Sequence, residues 1–170
     1  MTIVLSILGA VLALIEIAFI VYKYSKETAR KRRSDTILVY NTIFYDTYNL
    51  RDDYFNITGQ NLFVSEDIQN NDRIYKAVMN HLTLLEGFSK GLEYGVYDFK
   101  TFVYLTPNEL YEILNSLNQF VLDERKIKSY DLLFNDFISL INIMSFCINK
   151  KLSSKTIKFN YSKLKRKLEK

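Results

Sequence analysis

From Thr2 to Tyr22 the chain is almost unbroken apolar sequence, and only beyond it do apolar and polar residues alternate with a helical period. The run holds one charge, Glu16, and as a helix it would span about 31 Å, close to the hydrocarbon thickness of a bilayer. A buried core helix of that length would show a polar face, which this run barely has. A cleavable signal peptide would open with basic residues and close on a small-x-small site. Here nothing basic precedes the run, and Phe19-Ile20-Val21-Tyr22-Lys23 ends it. The pattern predicts an uncleaved transmembrane anchor over residues 1–22.

The next stretch reads as a succession of helices. Ser34 is suited to cap one, with Asp35 in its first turn and Ile37, Tyr40, Phe44, Thr47 and Tyr48 at helical spacing. That helix should reach about Tyr54 and end in Asn56-Ile57-Thr58-Gly59. A second starts at Ser65 or Asp67 and buries Ile74, Ala77, Val78, Leu82, Leu85 and Phe88, with Gly95 as its C-terminal cap. Asp98 opens a short helix to about Leu105. Thr106-Pro107-Asn108-Glu109 predicts a capping box with proline in the first helical position, ahead of Leu110, Ile113, Leu114, Leu117 and Val121. A charged turn from Asp123 to Lys128 then leads to a last core helix lined by Leu132, Leu133, Phe137, Leu140, Ile141 and Met144. These stripes read as core rather than as a cofactor site. Proline occurs once and glycine five times, too few turn residues for an all-β fold. The prediction is an all-α protein: an N-terminal transmembrane helix followed by a small bundle of about four to five helices.

Charge divides the chain further. Residues 23–33 carry Lys23, Lys26, Arg30, Lys31, Arg32 and Arg33 against Glu27, and residues 150–170 carry nine Lys/Arg against Glu169. Residues 34–149 hold 8 basic and 16 acidic side chains. The expected organisation is an anchor (1–22), a basic juxtamembrane segment (23–33), a helical domain (34–149) and a basic amphipathic tail (150–170). Because the basic cluster directly follows the apolar run, the positive-inside rule puts the domain in the cytoplasm and the N-terminus outside.

Glu16 is the odd residue in the anchor, since an acid in a spanning helix costs about 2–3 kcal/mol. Ser6, Gly9, Ala13 and Glu16 share one helical sector, and Gly9-x-x-x-Ala13 is a spacing that lets helices approach closely. One reading is a homo-oligomeric seam enclosing Glu16. The other is a single acid near enough to the interface to stay hydrated. In the tail, Ile157, Tyr161, Leu164 and Leu168 form an apolar stripe flanked by Lys163, Lys165, Arg166 and Lys167. Such a helix can lie on an anionic leaflet, as Lys23, Lys26 and Arg30 to Arg33 can. A solvated tail and a nucleic-acid-binding tail, with Phe159 and Tyr161 stacking on bases, are the competing readings.

Candidate chemistry is sparse. One cysteine, Cys147, in an apolar run and one histidine, His81, exclude an internal disulfide and the usual zinc ligand sets within one chain. There is no nucleophile elbow, phosphate-binding glycine loop or dinucleotide fingerprint. No catalytic residue, cofactor or metal is expected.

The segment Ala77–Asp98, AVMNHLTLLEGFSKGLEYGVYD, resembles the bacterial family called domain of unknown function 4760. Glu86, Gly91 and Gly95-Val96-Tyr97-Asp98 match that family's central motif, while Thr83 stands where it usually has Asn and Gly87 replaces a larger residue. Arg125, Tyr130 and Phe134 resemble its second half. The resemblance implies a membrane helix, a basic stretch and a helical domain, and no activity. Glu86, near the apolar stripe of its helix, has Arg125 as a candidate partner for a structural ion pair across two helices.

The sequence therefore points to a non-enzymatic helical interaction module on the bacterial plasma membrane, with the bilayer and a second copy or another protein as partners. Size, anchor and missing catalytic signatures suit a stress or anti-phage setting. The alternatives are an oligomeric membrane-perturbing effector built on the Glu16 helix and a nucleic-acid binder acting through its tail.

Overall fold

A computed structural model describes the backbone of residues 2–149 and 161–168, and within those ranges the side chains from Leu14 onward. Among the described residues the seven regular elements are all helices: α1 (Thr2–Thr58), α2 (Ser65–Gln69), α3 (Asp72–Glu93), α4 (Phe99–Leu105), α5 (Asn108–Lys128), α6 (Asn135–Asn149) and α7 (Tyr161–Leu168).

α1 is one unbroken helix of 57 residues. The expected new start at Ser34 does not occur. No glycine or proline lies between Ala10 and Thr58, so nothing in the backbone chemistry interrupts the ladder. Beyond the basic segment, α1 turns Thr36, Tyr40, Ile43, Thr47 and Tyr54 into the core at helical spacing. It ends at Gly59, whose φ of +72° suits a residue without a Cβ.

α3 runs antiparallel to α1: Thr47 meets His81, while Arg32 lies over Gly95. Asn71 caps it by accepting from the N–H groups of Arg73 and Ile74. Ile74, Val78, Leu82, Leu85 and Phe88 are buried as the stripe predicts, and Ala77 is exposed instead. At the far end Gly95 takes φ +70°, and the N–H groups of Val96 and Tyr97 donate to the Gly91 carbonyl at 2.8 and 3.2 Å. This tight reversal folds the Tyr97 ring onto Gly91, where a Cβ would overlap it. Asp98 then caps α4 by accepting from the Thr101 N–H at 2.8 Å, as its position in the sequence suggests. α4 returns alongside α1, with the Tyr40 hydroxyl donating to the Leu105 carbonyl.

The expected capping box at α5 does not form. The Thr106 hydroxyl donates back to the Phe102 carbonyl, and Glu109 accepts from Arg51 at 2.8 Å. The stripe behind it is correct: Leu110, Ile113, Leu114, Leu117 and Val121 are all buried. Asp123 to Lys128 is not a turn but the last turns of α5, which ends at Ser129 in the left-handed region (φ 55°). α6 therefore starts only at Asn135, and Leu132, expected in the core, is 78% exposed. α6 packs on α3 and α5, and α7 closes over α6 and α3.

The core is rich in rings. Phe102 contacts Phe88 and Tyr40 edge-on, with centroids 5.0 and 6.2 Å apart, and Phe99 meets Tyr161 at 5.4 Å.

Two glycines of α3 should respond oppositely to alanine. Gly91→Ala must displace the Tyr97 ring and should cost about 1–3 kcal/mol. Gly87→Ala meets open space and should stabilise by roughly 0.5–1 kcal/mol. Urea unfolding followed by circular dichroism measures both.

Candidate functional site

From Leu14 to Tyr24, α1 is bare. Leu14, Phe19 and Tyr24 are 65%, 65% and 73% exposed, and Ile15, Ile17, Ile20, Val21 and Tyr22 are exposed with them. Consecutive apolar side chains in all directions around a helix find no partner among the described residues, and in water such a surface is unfavourable at about 25 cal/mol per Å². Lys23, Lys26, Arg30, Lys31, Arg32 and Arg33 follow as an exposed collar, with the Lys26 ammonium 5.9 Å from the centre of the Tyr22 ring. Glu16 is exposed on the same helix. Ser6, Gly9 and Ala13, the other members of the expected seam, lie outside the described side chains. Among the described side chains, no helix is long and apolar enough to cross a membrane. The residues Thr2 to Ala13, which supply the first part of the expected span, are outside that set.

Beside the middle of this helix, α1, the α3–α4 turn and the start of α7 enclose a cleft of about 530 Å³. Arg32, Tyr94, Asp98, Lys100 and Ser162 supply its polar edge.

The expected Glu86–Arg125 ion pair does not form. Glu86 accepts from the backbone N–H groups of Asp136 and Phe137 at 3.3 and 2.8 Å, so it caps α6 from a neighbouring helix. Arg125 donates Nε and Nη2 to the Leu133 carbonyl at 2.9 and 2.7 Å. The residue preceding α6, Phe134, has φ 52° and no polar side chain, so a carboxylate from α3 does what a local Ser or Asp normally does. Glu86 thus holds the first turn of α6, and Arg125 holds the segment that precedes it.

The tail is also corrected. Tyr161 and Leu164 are buried in the body, so α7 spends its apolar face on its own core rather than on a bilayer. Lys165, expected among the lipid contacts, is 9% exposed and bonded to Asp136 at 2.7 Å and Glu93 at 2.8 Å. Burial opposes its charge, yet the two carboxylates prevail and hold the ammonium above its ordinary pKa. Lys163, Arg166 and Lys167 are exposed. The Tyr161 ring offers no free face for base stacking, and Ile157 and Phe159 lie outside the described residues.

Two buried polar groups have little warning in the sequence. Glu124 is 2% exposed and accepts from Lys128 (2.7 Å), Gln69 (2.9 Å) and the Tyr75 hydroxyl (2.9 Å). Burial alone would raise its pKa, but these donors keep it below the usual carboxylate range. The only sequence signal was the i,i+4 spacing of Glu124 and Lys128. His81 is 5% exposed, with Nε2 2.9 Å from the Thr47 hydroxyl oxygen. That hydroxyl donates to the Ile43 carbonyl, so the network assigns the proton of this contact to His81 Nε2. Burial lowers the His81 pKa to about 4, with the nearby Asp46 charge opposing.

No protein-family model matches the chain, nor does any curated protein or solved structure.

Neutral burial of His81 makes stability depend on pH. The unfolded chain takes up a proton below about pH 6.5 and the folded chain only near 4, so stability is full above 6.5 and falls on acidification between these values, by about 3 kcal/mol. His81→Gln should flatten that part of a pH series of urea unfolding curves. Glu86→Ala should cost about 1–2 kcal/mol and raise amide hydrogen exchange at the start of α6.

Proposed function

We propose that this protein is a membrane-anchored helical interaction module. Its N-terminal helix crosses the bacterial plasma membrane once, with the N-terminus outside and the helical body in the cytoplasm, where the body binds a second copy or another protein. The observation that carries this reading is the bare apolar stretch of α1 from Leu14 to Tyr24, followed at once by a basic collar. An apolar surface on all sides of one helix suits hydrocarbon, and the first residues of the collar, Lys23 and Lys26, suit the anionic inner leaflet. Self-association has support on the same helix. Leu38 and Tyr45 are 70% and 66% exposed and lie about 20° apart on the wheel, turned away from the core residues of α1. The resemblance to domain of unknown function 4760 accords with this architecture.

The exposure of Glu16 favours a second reading, in which several α1 helices assemble around that acid and perturb the membrane. Glu16→Leu separates the two: it should abolish a collapse of membrane potential on overexpression if the second reading holds, and leave localisation and partner binding intact if the first does.

The anchor is tested by membrane fractionation with alkaline carbonate, together with a C-terminal reporter fusion. The expected outcome is a carbonate-resistant membrane protein with a reporter active only in the cytoplasm. Release by carbonate, or a reporter active only outside, would sink the proposed placement.

A further inference from the structure

The geometry points to a phosphate-binding site in the cleft beside the middle of α1, where Arg32 and Lys100 hold a phosphoryl group. The cleft is about 530 Å³, a size that accommodates a nucleotide-sized compound. Its two cations and two carboxylates are not paired with one another. Glu93 is taken by Lys165 at 2.8 Å. Asp98 accepts from both the N–H and the hydroxyl of Thr101, at 2.8 and 2.7 Å. Arg32 and Lys100 have no carboxylate within ion-pair distance among the described residues. Two cations without a carboxylate partner thus share one cleft with two carboxylates whose bonds go elsewhere.

Position adds to charge. The Arg32 guanidinium is laid over the α3–α4 turn, with Nη1 3.7 Å from where a Cβ on Gly95 would stand. Arg166 folds back so that its Nε donates to the Ser162 carbonyl at 3.2 Å, which brings a third cation to the residue that edges the cleft. A guanidinium fork and an ammonium suit the oxygens of a phosphate. The phosphate could come from a lipid headgroup or from a soluble compound. Arg32 follows Tyr22 by ten residues, about 15 Å along the helix, which is beyond the headgroup layer and favours the soluble source. The site lies in the body and stands whether or not α1 crosses a bilayer.

The test uses the full chain and reads amide hydrogen exchange over residues 91–100 and 161–168. In one arm the protein in mild uncharged detergent is titrated with sodium pyrophosphate at constant ionic strength. In the other it is held in nanodiscs of phosphatidylcholine with or without phosphatidylglycerol. Saturable protection in the first arm is expected and identifies a soluble phosphate compound. Protection only with phosphatidylglycerol would assign the same site to lipid. In either case Arg32→Gln and Lys100→Gln should each weaken the apparent affinity at least tenfold, and Lys126→Gln, distant on α5, should not. If Arg32→Gln fails to fold, the exposed Lys100 gives the same answer. Absence of protection in both arms, or protection that survives Lys100→Gln undiminished, overturns the site. A chain that fails to enter nanodiscs but binds pyrophosphate counts against the anchor alone.

Discussion

Val96 and Tyr97 both give their N–H groups to the carbonyl of Gly91, and the Asp98 N–H donates to the Thr36 hydroxyl on α1 at 2.7 Å. With these bonds the chain reverses after α3 and returns pinned to the long helix. The reversal needs Gly95 at positive φ and a bare Gly91 beneath the Tyr97 ring. Everything later in the chain is laid out from it. α4 starts there, Phe102 comes between Tyr40 and Phe88, and Phe99 is presented to Tyr161 of α7. The cleft beside Arg32 is the outer side of the same turn. The stretch from Gly91 to Asp98 is therefore largely the chemistry of one corner.

Buried charge in this fold holds segments together that local chemistry leaves loose. Glu86 caps a helix whose own preceding residue is Phe134. Lys165 ties α7 to α3 and α6 at once through Glu93 and Asp136, and Glu124 gathers Gln69, Tyr75 and Lys128 from three helices. Each of these groups has its partners close by. The loss of one partner would leave an uncompensated charge, which is costly in a poorly hydrated setting. These contacts specify which helix lies where more than they add net stability.

α1 joins two environments in one rigid element. Its later half is an ordinary core helix with a buried face, and its stretch from Leu14 to Tyr22 exposes apolar side chains around the circumference with no partner among the described residues. Continuity of the ladder means that the direction of the exposed half is set by the packing of the buried half. A partner or ligand acting at the cleft would therefore act at the point where the two halves meet.

Helix type, the positions of most helices and most of the buried stripes of α3 and α5 were legible in the sequence, because a period of 3.6 and the scarcity of proline and glycine are local properties. So were the cap at Asp98 and the end of α1 near Gly59. The tertiary structure decided what local patterns leave open. A Ser34-Asp35 pair reads as a cap, yet with no breaker before it the helix simply continues. Thr106 to Glu109 reads as a capping box, yet Arg51, 58 residues away, claims the glutamate. An amphipathic basic tail looks the same whether its apolar face meets lipid or its own core, and only the packing of Tyr161 and Leu164 distinguishes the two. Glu86 and Arg125 were visible as residues of structural weight, but not their partners, since backbone N–H and carbonyl groups are present at every position and carry no signature. A sequence states which groups need satisfying, and the three-dimensional arrangement decides which neighbour does it.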